Sequence, residues 1–196
     1  LFISQFRQNK NNYFVNNLGE KIKYEILYKA EKLLLDRAQI FCKKKNLKIH
    51  VLGGKFDKSH IQEKKFFDKI LKKKYKFIKK KSNFSNYNLL KKYNFIISVD
   101  STLSFEAISR NLNVGIFDYR PKIIKTRNRG LYISKEGKFW TKSLAKKSFI
   151  RIMNHLYKNR KKNKPLSSKI MTYFENFIIY DYGNKTLKRE LKNIIN

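Results

Sequence analysis

Short apolar runs alternate with helical patterns over the first 120 residues, and this alternation constrains the fold more than any other feature. Between residues 21 and 45, apolar side chains recur every three or four positions, which predicts one long amphipathic helix. Further helices are predicted at residues 59–71, 85–92 and 103–110. The predicted strands span residues 1–6, 47–52, 75–78, 95–99 and 113–117. Strands that alternate with helices in this way are typical of an α/β fold with a parallel sheet.

The pattern is less regular at residues 8–19 and beyond Pro121. The first of these segments is rich in Asn and is predicted to be a polar loop. Asn111 suits the left-handed position that ends a helix. After Pro121 we predict a short strand at 131–133 and helices at 143–157, 167–177 and 185–195. Residues 143–196 would then be a helical extension that closes a single α/β domain spanning residues 1–196.

Composition places the chain among globular proteins. Its 196 residues are 41% hydrophobic, with 16 Phe and 12 Tyr, which is enough to bury one core. No apolar run approaches the ~20 residues that cross a bilayer. The single Cys42 fits a reducing compartment, and three scattered His argue against a zinc site. The sequence opens on Leu1 without a signal-peptide pattern, so we expect one domain of a longer, cytoplasmic polypeptide.

A formal net charge of +33 raises the question of a nucleic-acid partner. The basic residues are 38 Lys against only 9 Arg, and their runs are dispersed at the ends of predicted elements. Lys is readily solvated in such places, so most of the charge is expected to be ordinary surface. The remaining expectation is peripheral contact with an anionic membrane surface, at the inner face of the membrane. Nucleic acid is the less favoured partner.

The most specific polar pattern follows the strand at 95–99. Ligands of open parallel sheets bind beyond the carboxyl ends of the strands, and Asp100-Ser101-Thr102 stands at such an end and opens a helix. Backbone N–H groups and the helix dipole favour a phosphate there, to which Ser101 and Thr102 can donate hydroxyls. Glu106 lies one turn further on the same face, within reach of a ribose. Ordinary capping by Ser101 or Asp100 and dipole compensation by Glu106 remain the alternative.

The segment Asp100-Ser101-Thr102-Leu103-Ser104-Phe105-Glu106-Ala107, followed by the strand Val114-Gly115-Ile116-Phe117, resembles the carboxyl-terminal half of GT-B glycosyltransferases. It is closest to transferases of bacterial surface carbohydrate biosynthesis, which include those of O-antigen and capsule. The resemblance covers roughly residues 1–120. It implies a Rossmann-like open parallel sheet of about five to six strands flanked by helices. It also implies a nucleotide-activated sugar as substrate, an acceptor glycan or lipid-linked glycan as partner, and no cofactor or metal.

Within that resemblance, Glu106 would hold the donor ribose, and Ser101 and Thr102 the diphosphate. Two further donor-binding residues, after the first strand, would form the other phosphate wall: Ser4 and Arg7. Additional candidates for donor contact are Ser85, Arg127 and Arg129. The catalytic residues stay unassigned.

Two features depart from the family pattern. Ser104 and Asn111 stand where Gly is usual, and the acceptor-binding amino-terminal half is missing. The isolated chain is therefore expected to be inactive alone. Two other functions stay open: a CDP-polyol phosphotransferase-like domain, and a non-catalytic basic module that binds polyanions or nucleic acid.

Overall fold

A computed structural model describes residues 1–6, 12–15, 19–55, 58–72, 74–81, 86–124 and 136–160. Its strands are β1 (Phe2–Ile3), β2 (Tyr13–Val15), β3 (Lys21–Lys23), β4 (His50–Leu52), β5 (Lys76–Ile78), β6 (Ile96–Ser98), β7 (Val114–Phe117) and β8 (Trp140–Thr141). Its helices are α1 (Tyr24–Lys44), α2 (His60–Leu71), α3 (Asn86–Leu90), α4 (Thr102–Ser109), α5 (Arg120–Ile124) and α6 (Lys146–Asn159).

Six strands form one sheet in the order β5-β4-β1-β6-β7-β8, and every neighbouring pair is parallel. The central strand β1 pairs with β4 on one side and with β6 on the other, through Phe2↔Val51 and Phe2↔Ile97. Counted along the chain within this sheet, the order is 3-2-1-4-5-6, as in dinucleotide-binding Rossmann folds. The predicted α/β fold is confirmed. The order reverses between β1 and β6, which defines a switch point at the carboxyl edge.

Helices cover both faces of the sheet, which explains why β6 and β7 are buried along their whole length. Successive strand residues point to opposite sides. Ile97 therefore joins the core beneath α1, α2 and α6, whereas Ile96 joins the core beneath α3 and α4. Gly115 lets α6 approach closely, since a Cβ there would lie 2.8 Å from Leu156 Cδ1.

Two local predictions are confirmed in detail. The apolar face predicted for the first long helix is buried in α1, at Leu27, Ala30, Leu34, Ala38 and Phe41. Asn111 adopts φ 60 after α4, and the amide of Leu112 donates to the Ala107 carbonyl at 3.0 Å, which satisfies the helix end.

The predictions missed four elements. The supposed loop at 8–19 contains β2, which pairs antiparallel with β3, so α1 begins at Tyr24 and not at residue 21. Neither α5 nor β8 was predicted. The strand at 131–133, the helices at 167–177 and 185–195, and hence most of the 143–196 extension lie outside the described residues. Within the described part of the chain, no helix is long and apolar enough to cross a membrane.

Candidate functional site

The segments that follow β1 and β6 are joined across the switch point. The backbone amide of Asp100 donates to the Oε1 atom of Gln5 at 3.1 Å. This hydrogen bond joins the segments after β1 and β6, and we call the region between the segments after β1, β4, β6 and β7 the switch-point crevice. A crevice in this position of an open parallel sheet is where ligands bind.

The start of α4 forms one wall of this crevice. Ser101 occupies the N-cap position with extended backbone (φ -68, ψ 132), and its carbonyl accepts from the Ser104 amide at 2.9 Å. Its side chain makes no capping hydrogen bond. Thr102 is exposed at the first helical position. Ordinary side-chain capping by Ser101 is therefore excluded in this structure. The positive end of the α4 dipole is not compensated by a hydrogen bond from the Ser101 side chain.

Glu106 lies one turn along α4 and is partly exposed. The hydroxyl of Tyr87 donates to Glu106 Oε2, and this hydrogen bond raises the pKa of Tyr87, with burial as a lesser cause. The Arg110 guanidinium stacks over the Tyr87 ring, 4.0 Å from its centroid. The Tyr87 side chain thus orients the carboxylate of Glu106, a contact that the sequence analysis did not predict.

Asp100 does not cap the helix, contrary to expectation. Its Oδ1 accepts a hydrogen bond from Nη1 of Arg120, which follows β7. Nη2 of the same guanidinium lies 3.6 Å from Oε1 of Glu31, and that oxygen accepts from the Gln5 amide at 3.0 Å. One arginine therefore joins a carboxylate on α1 to a carboxylate at the end of β6.

This cluster is largely removed from water. Glu31 has no exposed surface, and burial raises its pKa to about 7 even though Arg120 opposes the shift. Its Oε2 atom and the Nε atom of Arg120 are buried without a hydrogen-bond partner. Burial, reinforced by Asp100, also raises the pKa of Asp118 to about 7. Buried carboxyls of this kind are more common at functional sites than elsewhere.

A second buried carboxylate lies under the segments after β1 and β4. Glu63 accepts hydrogen bonds from the Ser4 hydroxyl and from the amides of Gly54 and Lys55, the latter two at 2.8 and 3.2 Å. Burial nevertheless raises the pKa of Glu63. Ser4 also accepts from the Phe6 amide at 3.1 Å. Its only proton is therefore engaged, and contact with a phosphate would require Ser4 to exchange its bond to Glu63.

The structure places Ser101 at the N-cap of α4, with Thr102 and Glu106 one turn apart on that helix, whereas Ser4 follows β1 and is hydrogen-bonded to Glu63. Four sequence-predicted candidates lie outside the described residues: Arg7, Ser85, Arg127 and Arg129. Among the side chains that the structure describes, no group of three or more His, Cys, Asp or Glu is arranged to hold a metal ion.

Sequence reasoning missed Glu31 and Glu63 as members of the site. The sequence signal that could have identified them is an acidic residue at a position on the apolar face of a helix. Glu31 stands four residues after Leu27 and three before Leu34, and Glu63 stands four before Phe67. Arg120, which follows β7 and begins α5, was also not among the candidates predicted from the sequence.

The fold and the crevice define the class: an α/β protein with a Rossmann-ordered parallel sheet whose polar side chains meet at the switch point. The chain belongs to the family described as "putative O-antigen biosynthesis protein", which matches residues 1–195. Comparison with curated proteins and with solved structures finds no match. The family description supports the predicted link to surface carbohydrate biosynthesis.

Proposed function

We propose that the chain is the donor-binding domain of a glycosyltransferase, and that it takes a nucleotide-activated sugar for surface carbohydrate biosynthesis. The observation that carries the proposal is the unit β6–Asp100-Ser101-Thr102–α4 at the switch point, with an uncapped helix start and a partly exposed Glu106 one turn away. The family description supports the link to surface carbohydrate biosynthesis, in which glycosyl transfer is one of the reactions required.

In this proposal the diphosphate lies at the start of α4. The hydroxyls of Ser101 and Thr102 donate to phosphate oxygens, and the helix terminus contributes roughly half a positive charge. Glu106, held by Tyr87, accepts the ribose hydroxyls. The oxygen of an acceptor hydroxyl bonds to the anomeric carbon and gives its proton to a general base, a role assigned to no residue of this chain. The bond from that carbon to the phosphate oxygen breaks, and the nucleoside diphosphate leaves with the electron pair. Fixed positive ends of dipoles stabilise the charge that develops on that oxygen.

Nucleotide binding tests the proposal directly. Thermal unfolding should be followed with UDP, GDP, CDP and CMP, because a ligand at 100 times its Kd stabilises the folded state by about 2.7 kcal/mol. We expect one base to raise the Tm, and Glu106→Ala to abolish the rise. Asp68→Asn changes a partly exposed acid on α2 that pairs with Lys64 and Tyr75; it is the control and should respond as wild type does.

Two results would contradict the proposal. One is a Glu106→Ala variant that binds nucleotide as tightly as wild type does. The other is the absence of any nucleotide binding together with tight, steeply salt-dependent binding of DNA or RNA, which would favour a polyanion-binding module. A strict preference for CDP would favour the CDP-polyol alternative at the same site.

A further inference from the structure

Acidic side chains converge on the switch-point crevice against the charge of the whole protein. The chain has 14 Asp and Glu against 47 Lys and Arg. Four of those acids contact or belong to the segments that follow β1, β4, β6 and β7: Glu31, Glu63, Asp100 and Asp118. Among the described residues, four of the few acids of a strongly basic protein thus meet at this edge of the sheet.

Cationic compensation within this cluster is incomplete. Arg120 is shared between Asp100 and Glu31, and it approaches Glu31 through a single oxygen. The other oxygen of that carboxyl is fully buried and without a hydrogen-bond partner. The Nε atom of the guanidinium is likewise unpartnered. One guanidinium thus serves two carboxyls without satisfying either completely, and buried polar atoms left in this condition usually have a functional reason.

The cluster lies where the transferred group must be placed if the proposed function holds. A diphosphate at Ser101 and Thr102 has the nucleoside on the side of Glu106. Its other substituent then extends toward Asp100 and Arg120, at the ends of β6 and β7. The Asp100 side chain is 31% exposed, so its carboxylate is the part of the cluster that a ligand can reach.

We infer that the crevice selects an uncharged or amino-substituted sugar and rejects an acidic one. Asp100 accepts hydrogen bonds from sugar hydroxyls, and Arg120, held by Glu31, fixes the orientation of Asp100. A sugar carboxylate would meet Asp100 with the buried acids Glu31 and Asp118 behind it. Among the described residues, the cations that oppose these three acids are Arg120 and Lys142. Rejection by an unmatched like charge is a common source of specificity. The inference rests on the proposed function, and it specifies the chemical class of the donor.

The test compares donors that differ in one group. UDP-glucose and UDP-glucuronate differ only in having a hydroxymethyl or a carboxylate at C6, and GDP-mannose and GDP-mannuronate form the same pair for a guanine-specific site. Calorimetric titration at pH 8 and constant ionic strength should give a Kd at least about tenfold lower for the neutral member. Asp100→Asn, which keeps the shape and one oxygen, should bring that ratio close to one. Asp68→Asn should leave the ratio as in wild type.

Three outcomes would overturn the inference: equal or tighter binding of the uronate, an unchanged ratio in Asp100→Asn, or tight binding of the acidic donor CMP-N-acetylneuraminate. In each of these a nucleotide sugar still binds, so the proposed function survives and only the charge selection fails. If none of these donors binds, the proposed function fails and the inference fails with it.

Discussion

Replacing Glu31 by Gln tests whether the buried carboxyl on α1 is neutral in the folded protein. Burial raises its pKa from 4.5 to about 7. A shift of this size corresponds to about 3 kcal/mol between the two protonation states. The direction in which stability changes with pH follows from the difference in pKa between the folded and unfolded chains. Below pH 4.5 the carboxyl is protonated in both folded and unfolded chains. Above that pH the unfolded chain ionises first, so wild type loses stability until the folded group also ionises near pH 7.

The assay is urea unfolding of wild type and Glu31→Gln at pH 5, 6, 7 and 8. The free energy of unfolding of the variant minus that of wild type should rise over this range by up to about 3 kcal/mol and level off above pH 7. Glu25→Gln makes the same change at an exposed position of the same helix and is the control. If Arg120 instead keeps Glu31 ionised throughout, the difference stays flat and the variant is less stable at every pH, which would refute the reasoning.

Two further substitutions test the surroundings of the crevice. Ser4→Ala removes the hydroxyl that donates to buried Glu63 and should lower the free energy of urea unfolding by about 1–3 kcal/mol. A change of less than about 0.5 kcal/mol would contradict the importance of this hydrogen bond. Asn111→Ala places an apolar residue with a Cβ at φ 60 and should lower the free energy of unfolding by about 1 kcal/mol. Asn111→Gly at the same position should leave the free energy of unfolding unchanged or raise it. Equal effects of the two substitutions would exclude backbone conformation as the cause.

The sequence was most informative where one element carries its own pattern. Five of the six parallel strands were located because their apolar runs are bounded by polar residues, and α1 was located by its repeating apolar face. Strand β8, with two residues at Trp140–Thr141, is too short to carry a pattern. The β2–β3 pair was missed because its strands, Tyr13–Val15 and Lys21–Lys23, have three residues each and are too short to carry a pattern.

In the site, too, contacts between residues close in sequence could be predicted and contacts between distant residues could not. Thr102 and Glu106 are four residues apart, so their common face on α4, next to Ser101 at the N-cap, could be predicted from helical spacing. The bonds that join Gln5 to Asp100 and Arg120 to Glu31 span 95 and 89 residues. Neither partner carries a local signal for the other. Such contacts depend on the order of strands in the sheet, which sequence periodicity does not determine.

The position of β1 at the centre of the sheet also has a consequence for folding during synthesis. Phe2 pairs with Ile97, so one side of the strand made first stays unpaired until the chain has grown by 95 residues. At about 5–20 residues per second this interval lasts roughly 5–20 s. Throughout it, an apolar strand with a free edge is accessible to other nascent chains. A chaperone that shields the first strand should therefore improve the yield of this protein more than one that acts after release from the ribosome.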